Sequence, residues 1–380
     1  MLCRPFSIDV SSKSLNDLKS RLSNSRFPEK INAQGWSYGT SQSYMRGFLE
    51  YWLEEYDWRK QESYLNTHMP QFIVKIDGSD LHFVHKKSRN PDALTIVLTH
   101  GWPGSILEFH KMIDLLVFPE SYGGVLSDAF DVVCPSLAGY AWSEPVYGEP
   151  CDVKKIAERQ VKLMSRIGVE RYGVQGGDWG GLISPYMALR DERVVGVHLN
   201  SCTTKSTDDP KEAKAQGVVT GRSAISIDYY REQKGYAVIQ ALKPDQLAFA
   251  LNDSPLGLAA WILQCFYMWS DIDGDLESRF TKDELITNIM LYWITQSMPS
   301  AIRLYRESLI AGTFGPPTDY LPTPTGVALF KDIPKPKREW ADAHYNICHW
   351  SAMPEGGHFA ALEVPNLLAD DIRTFFSKIH

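Results

Sequence analysis

From residue 94 onward, short apolar runs rich in β-branched residues alternate with stretches whose apolar residues recur at helical spacing, the pattern of a mostly parallel α/β sheet. "LTIVLTH", "FDVVCPS", "YGVQGG" and "VVGVHLNS" are the predicted strands. Between the second and third, Val153, Ile156, Ala157, Val161 and Met164 fall on one helical face, with Asp152 placed to cap the helix and Gly168 to end it. After Cys202 the alternation stops. Residues to about 312 read as mostly helical, preceded by the polar "TTKSTDDPKEAKAQG" and closed by the turn-rich "AGTFGPP". Strand-like "TGVALF" and "ICHWSAM" then resume the sheet, and "NLLADDIRTFFSKI" supplies a last helix. The pattern predicts a core over 94–202 and 313–380, divided by a helical lid over 203–312.

The first 93 residues read as an added segment. Ser14 and Asp17 form a predicted capping box ahead of Leu15, Leu18 and Leu22. A second helix is predicted over "SYMRGFLEYWLEEYDW", where Tyr44, Phe48, Tyr51 and Trp52 make an aromatic stripe of the kind that builds a core. "FIVKIDGSDLHFVH" predicts a hairpin around "DGSD", which sends His82 and His85 to opposite faces and argues against a shared metal.

Composition narrows the function. Apolar residues make up 44% and charged residues 22% of the 380, which supports a folded globular protein over a disordered one. A net charge of -7 with no long Lys/Arg run removes the electrostatic footprint of a nucleic-acid binder, so a neutral small molecule fits better. The six cysteines are scattered with no CxxC pair, so neither a zinc site nor a disulfide framework is expected and a reducing, cytoplasmic location is the simplest reading. The N-terminus lacks an apolar core of signal-peptide length, and the longest apolar run, "LGLAAWILQCF", is too short to span a bilayer. No nucleotide cofactor is expected, because Gln175 and Asp178 stand where a G-x-G-x-x-G loop needs glycines. No interface signature marks an oligomer, although a homodimer stays open.

Three segments carry candidate chemistry. In "VQGGDWGG" the small residues Gly176 and Gly180 flank Asp178 at the spacing of a nucleophile elbow, a sharp strand-to-helix turn that exposes one side chain. An aspartate capping the following helix is the plainer account of the same residue. In "THGWPGS" a tight turn follows a strand and can aim a backbone N–H at developing negative charge, so the amides of Trp102 and Trp179 are the expected oxyanion donors. His100 in that turn reads as a structural histidine. In "EGGHFAALEVP", His358 follows the last strand, where a base can reach the elbow.

With these motifs in view, the chain resembles an epoxide hydrolase of the α/β-hydrolase superfamily, in its microsomal-type branch. "HGWPGS", "GGDWGG", "GYAVIQALKPDQLAFALNDSPLGLAAWI" and "GGHFAALE" are similar to that branch's hallmarks, and the early aromatic helices resemble its N-terminal extension. The resemblance implies a lid-borne tyrosine pair, Tyr236 and Tyr305, with Tyr292 as rival for the second. It implies Asp332 as the acid partner of His358, with Glu339 as fallback. It further implies a small hydrophobic epoxide and water as partners, no cofactor, and conversion to a vicinal diol through an alkyl ester on Asp178. The alternatives are a haloalkane dehalogenase, which also uses an elbow aspartate beside a tryptophan, and a noncatalytic binding protein of the same fold.

Overall fold

The structure is a computed structural model that describes residues 3–29, 35–204, 234–331 and 335–379. Its centre is a nine-stranded sheet: β1 (Cys3–Phe6), β2 (Gln71–Ile76), β3 (Ser79–Lys86), β4 (Leu94–Thr99), β5 (Phe130–Pro135), β6 (Tyr172–Gly176), β7 (Val194–Leu199), β8 (Leu321–Leu329) and β9 (Tyr345–Ala352). They lie in the order β1-β2-β3-β5-β4-β6-β7-β8-β9. Pairing is antiparallel from β1 to β5 and parallel from β5 through β4, β6, β7 and β8 to β9.

Local sequence explains these elements. All six residues of β4 are buried, as expected of a central parallel strand covered by helices on both faces. The hairpin between β2 and β3 turns on Asp77 and Gly78, both at positive φ, with Ile76 opposite Ser79. Its two strands join the same sheet as the parallel core. The helix Val153–Arg166 starts on Asp152, whose side chain accepts from the Lys155 amide, and buries Val153, Ile156, Ala157, Leu163 and Met164.

Two boundaries differ from the sequence pattern. The first helix, Ser12–Ser23, is capped by Ser11, which accepts from the Ser14 amide; Asp17 instead faces Arg21 one turn on, at 2.8 Å. The aromatic helix stops at Glu54, and Asp57 caps a separate helix, Trp58–His68, by accepting from the Arg59 amide. Phe48 and Trp52 are buried in the core as the stripe predicts, while the Tyr51 hydroxyl donates to Asp283.

Between β7 and β8 the described residues form the helices Gly235–Leu242, Pro244–Asp253, Pro255–Trp269, Lys282–Thr295 and Met298–Ala311. Helix Lys282–Thr295 begins with a capping box between Thr281 and Glu284 and packs against the loop after β4. Among the described residues, no helix is long and apolar enough to cross a membrane.

Candidate active site

Strand β6 ends at Gly176 and the helix Trp179–Arg190 begins three residues later, so the chain must reverse within Gly177 and Asp178. Asp178 adopts φ 49° and ψ -120°, a conformation that costs a non-glycine residue about 1–3 kcal/mol and persists only where its surroundings enforce it. Gly176 and Gly180 make the turn feasible: a Cβ on Gly176 would strike the Gly180 backbone, and one on Gly180 would strike the Thr99 carbonyl of β4. The Asp178 side chain does not cap the helix. The strain therefore serves to present the carboxylate, which disposes of the plainer capping account.

The loop after β4 meets that carboxylate from the other side. The Trp102 amide donates to Asp178 Oδ1 at 2.8 Å, and Oδ2 faces His358 Nε2 at 3.5 Å. Asp178 lies deep in the protein, yet 22% of its side-chain surface is accessible, as is 11% of that of His358, which is how groups lining an interior space behave. Burial alone would raise its pKa; the hydrogen bond and charge of His358, with the Trp102 and Trp179 amides, outweigh burial and hold it below the ordinary carboxylate range. A carboxylate that stays ionised, with one oxygen held by the Trp102 amide, leaves the other oxygen able to act as a nucleophile.

The loop Gly356–Phe359 places His358 by means of a carboxylate of its own. Glu363 accepts from the amides of Gly357 and Phe359, at 2.9 and 3.0 Å, and from that of Asp271 at 2.8 Å. The His358 amide donates to the Trp269 carbonyl at 2.9 Å. Asp332 lies outside the described residues. Glu339 is exposed at the start of the short helix Arg338–Asp342, unlike a group that orients a buried imidazole.

Helical residues roof the site with aromatic rings. Tyr236 stacks on Trp102 at 5.2 Å between centroids, and Tyr305 meets Trp102, Trp179 and Tyr236 edge-on at 5.8, 4.7 and 5.9 Å. Burial, with Tyr236 and Asp178 nearby, drives the Tyr305 pKa well above that of a free phenol, so its hydroxyl keeps its proton and serves as a donor. Tyr292 is committed elsewhere, its hydroxyl donating to the Gly104 carbonyl at 2.5 Å. Asn288 on the same helix bonds the Pro103 carbonyl and the Ser105 hydroxyl, so this helix clamps the loop after β4. His100 is structural, as its sequence context indicates: Nε2 accepts from the Leu137 amide, Nδ1 pairs with the Gly101 carbonyl, and burial lowers its pKa to about 4.

One residue escapes sequence reasoning. Glu108, in the turn Ile106–Phe109, packs against Gly104 of the loop after β4, close to the Gly101 amide, and feels both His358 and Asp178. Burial, the dominant influence, raises its pKa to about 8 from 4.5. An acid inside the otherwise apolar "SILEF" is the available signal. The folded protein thus holds a proton that the unfolded chain releases near pH 4.5, and stability from this group is lost as pH rises from there toward 8. Glu108→Gln should therefore gain stability over the parent between about pH 5 and pH 8, by up to about 4 kcal/mol, in denaturant titrations run at both pH values.

Similar proteins span the whole of the chain. Residues 3–109 match the family described as "Epoxide hydrolase N terminus" and residues 95–228 match "alpha/beta hydrolase fold". The chain is 37% identical to Epoxide hydrolase 1 of Oryctolagus cuniculus, over 99% of this chain and 89% of that protein. The crystal structure of juvenile hormone epoxide hydrolase from the silkworm Bombyx mori superposes with a TM-score of 0.84 at 32% identity, covering 99% of this chain and 94% of that one. The Aspergillus niger epoxide hydrolase structure gives 0.83 at 28% identity, covering 100% and 97%. With relatives this similar along its whole length, and with an aspartate presented at the elbow, the chain belongs to the epoxide hydrolase family of α/β-hydrolase-fold enzymes.

Proposed function

We propose that this enzyme converts a small hydrophobic epoxide and water into a vicinal diol through an alkyl ester on Asp178. The observation that carries the proposal is the Asp178 carboxylate itself, ionised, strained into the site, with Oδ1 on the Trp102 amide and Oδ2 toward His358. Oδ2 attacks a ring carbon while Tyr236 and Tyr305 donate to the ring oxygen, so the strained C–O bond breaks without releasing a free alkoxide. His358 then draws a proton from water, which adds to the ester carbon. The Trp102 and Trp179 amides hold the resulting oxyanion where Oδ1 already rests. Asp332 is the proposed partner that orients His358. An aspartate suits this chemistry because its ester retains a carbonyl that water can attack, whereas serine would be left as an inert ether.

The dehalogenase reading has one observation in its favour: the indole N–H of Trp179 is buried and has no hydrogen-bond partner among the described residues, and such a donor could hold a halide. The tyrosine pair favours the epoxide, whose oxygen needs acidic O–H donors. An assay of an aryl epoxide against a bromoalkane decides between them. We expect diol from the first and no halide release from the second. The double variant Tyr236→Phe, Tyr305→Phe should open the epoxide about 10²–10⁴-fold more slowly. Halide release, or a double variant with unchanged epoxide turnover, would overturn the proposal.

A further inference from the structure

Beside Asp178 lies a small cavity of ≈ 10 Å³ whose polar lining is Thr99, Glu108, Gln175, Asp178, Asn200 and His358. That volume admits a single water. Its lining tells what such a water would find. The Thr99 hydroxyl is spent on Gln160, and Asn200 Oδ1 accepts from Gln175 Nε2. Gln175 Oε1 is buried with no partner among the described residues. The Glu108 carboxyl borders the same space, close to the Gly101 amide. The space is thus rich in acceptors and bounded by both the carboxylate and the imidazole of the proposed chemistry.

Glu108 is held there by the shape of the loop. A Cβ on Gly104 would stand inside the Glu108 carboxyl, so the glycine of "WPGS" is the seat of that side chain. The Ser105 cap and the Glu108 amide bond to the Ser105 carbonyl fix the short turn that brings it back.

We infer that Glu108 holds the hydrolytic water in this cavity, accepting the hydrogen that His358 does not remove, so that the water oxygen faces the Asp178 ester carbon. The inference rests on the covalent route proposed above. In that step the water oxygen bonds to Cγ and the bond from Cγ to the alkyl oxygen breaks. One hydrogen passes to His358 and on to the departing alkoxide. The other stays on the new Asp178 hydroxyl until that acid ionises and restores the proton given up by the tyrosines. Neutral Glu108 accepts through an oxygen, as the amide nitrogen of glutamine cannot, and adds no second negative charge beside the oxyanion, which an ionised one would.

Rapid-quench mass spectrometry with styrene oxide separates the two half-reactions, because it counts enzyme alkylated on the Asp178 peptide as a function of time. Glu108→Gln keeps the shape but replaces an oxygen facing the water with an NH₂, which cannot accept. Ester decay should slow about 10- to 100-fold while ester formation changes less than about threefold. Gly104→Ala, which displaces the Glu108 carboxyl without removing it, should give the same split. Equal slowing of both half-reactions, or unchanged decay in the glutamine variant, overturns the inference while leaving the covalent route intact. Absence of any ester in the parent enzyme overturns the route and the inference together.

Discussion

Asp178→Ala should lose diol formation by about 10⁴-fold or more while the protein stays folded, because the substitution removes the atom proposed to bond to substrate and nothing nearby can replace it. The measurement is kcat with an aryl epoxide, alongside a thermal melt. Stability should fall only modestly, since alanine at φ 49° carries the same backbone strain and what is lost is the carboxylate's bonds to the Trp102 amide and His358. A variant with a measurable fraction of parental turnover would mean that water attacks the epoxide directly. The nucleophile would then be His358-activated water, and the elbow strain would lack a purpose.

His358→Gln separates the two chemical steps. Attack by Asp178 needs the carboxylate and the tyrosines but not the imidazole, whereas hydrolysis of the ester needs a base. Loss of a general base costs about 10²–10⁴-fold, and here the whole loss should fall on the second step. Mixing this variant with excess epoxide should therefore consume one equivalent per enzyme and then stall. The mass increase should equal that of the epoxide and map to the peptide containing Asp178. With the parent enzyme in heavy-oxygen water, one turnover should leave the label in the Asp178 carboxylate, since water attacks that carbon and not the substrate.

Much of the fold and of the site is legible in the amino-acid sequence, for physical reasons that differ by residue. The parallel strands announce themselves because both faces are covered, and an uninterrupted run such as Leu94–Thr99 has few other places to go. Asp178 is legible because a sharp turn admits only small flanking residues, so geometry is written in Gly176 and Gly180. Tyr236 and Tyr305 are different: eighteen tyrosines share the chain and nothing local marks these two, so only family resemblance singles them out. Their closeness comes from packing of the helices Gly235–Leu242 and Met298–Ala311, which no window of sequence contains. Glu108 gives only a faint local signal, an acid in an apolar turn, because its environment is assembled from β4, the elbow and the His358 loop together. The start of the first helix is locally ambiguous, since Ser11 and Ser14 both satisfy the same capping rule, and the Asp17–Arg21 pair settles the choice.

The aromatic roof has a practical corollary. Trp102 and Trp269 stand beside Tyr236, and Trp179 stands beside Tyr305, so three indoles frame the two proposed acids. Their emission should change when a substrate settles against the tyrosines. The enzyme consequently carries its own optical gauge, and stopped-flow emission can follow occupancy in real time without any attached dye.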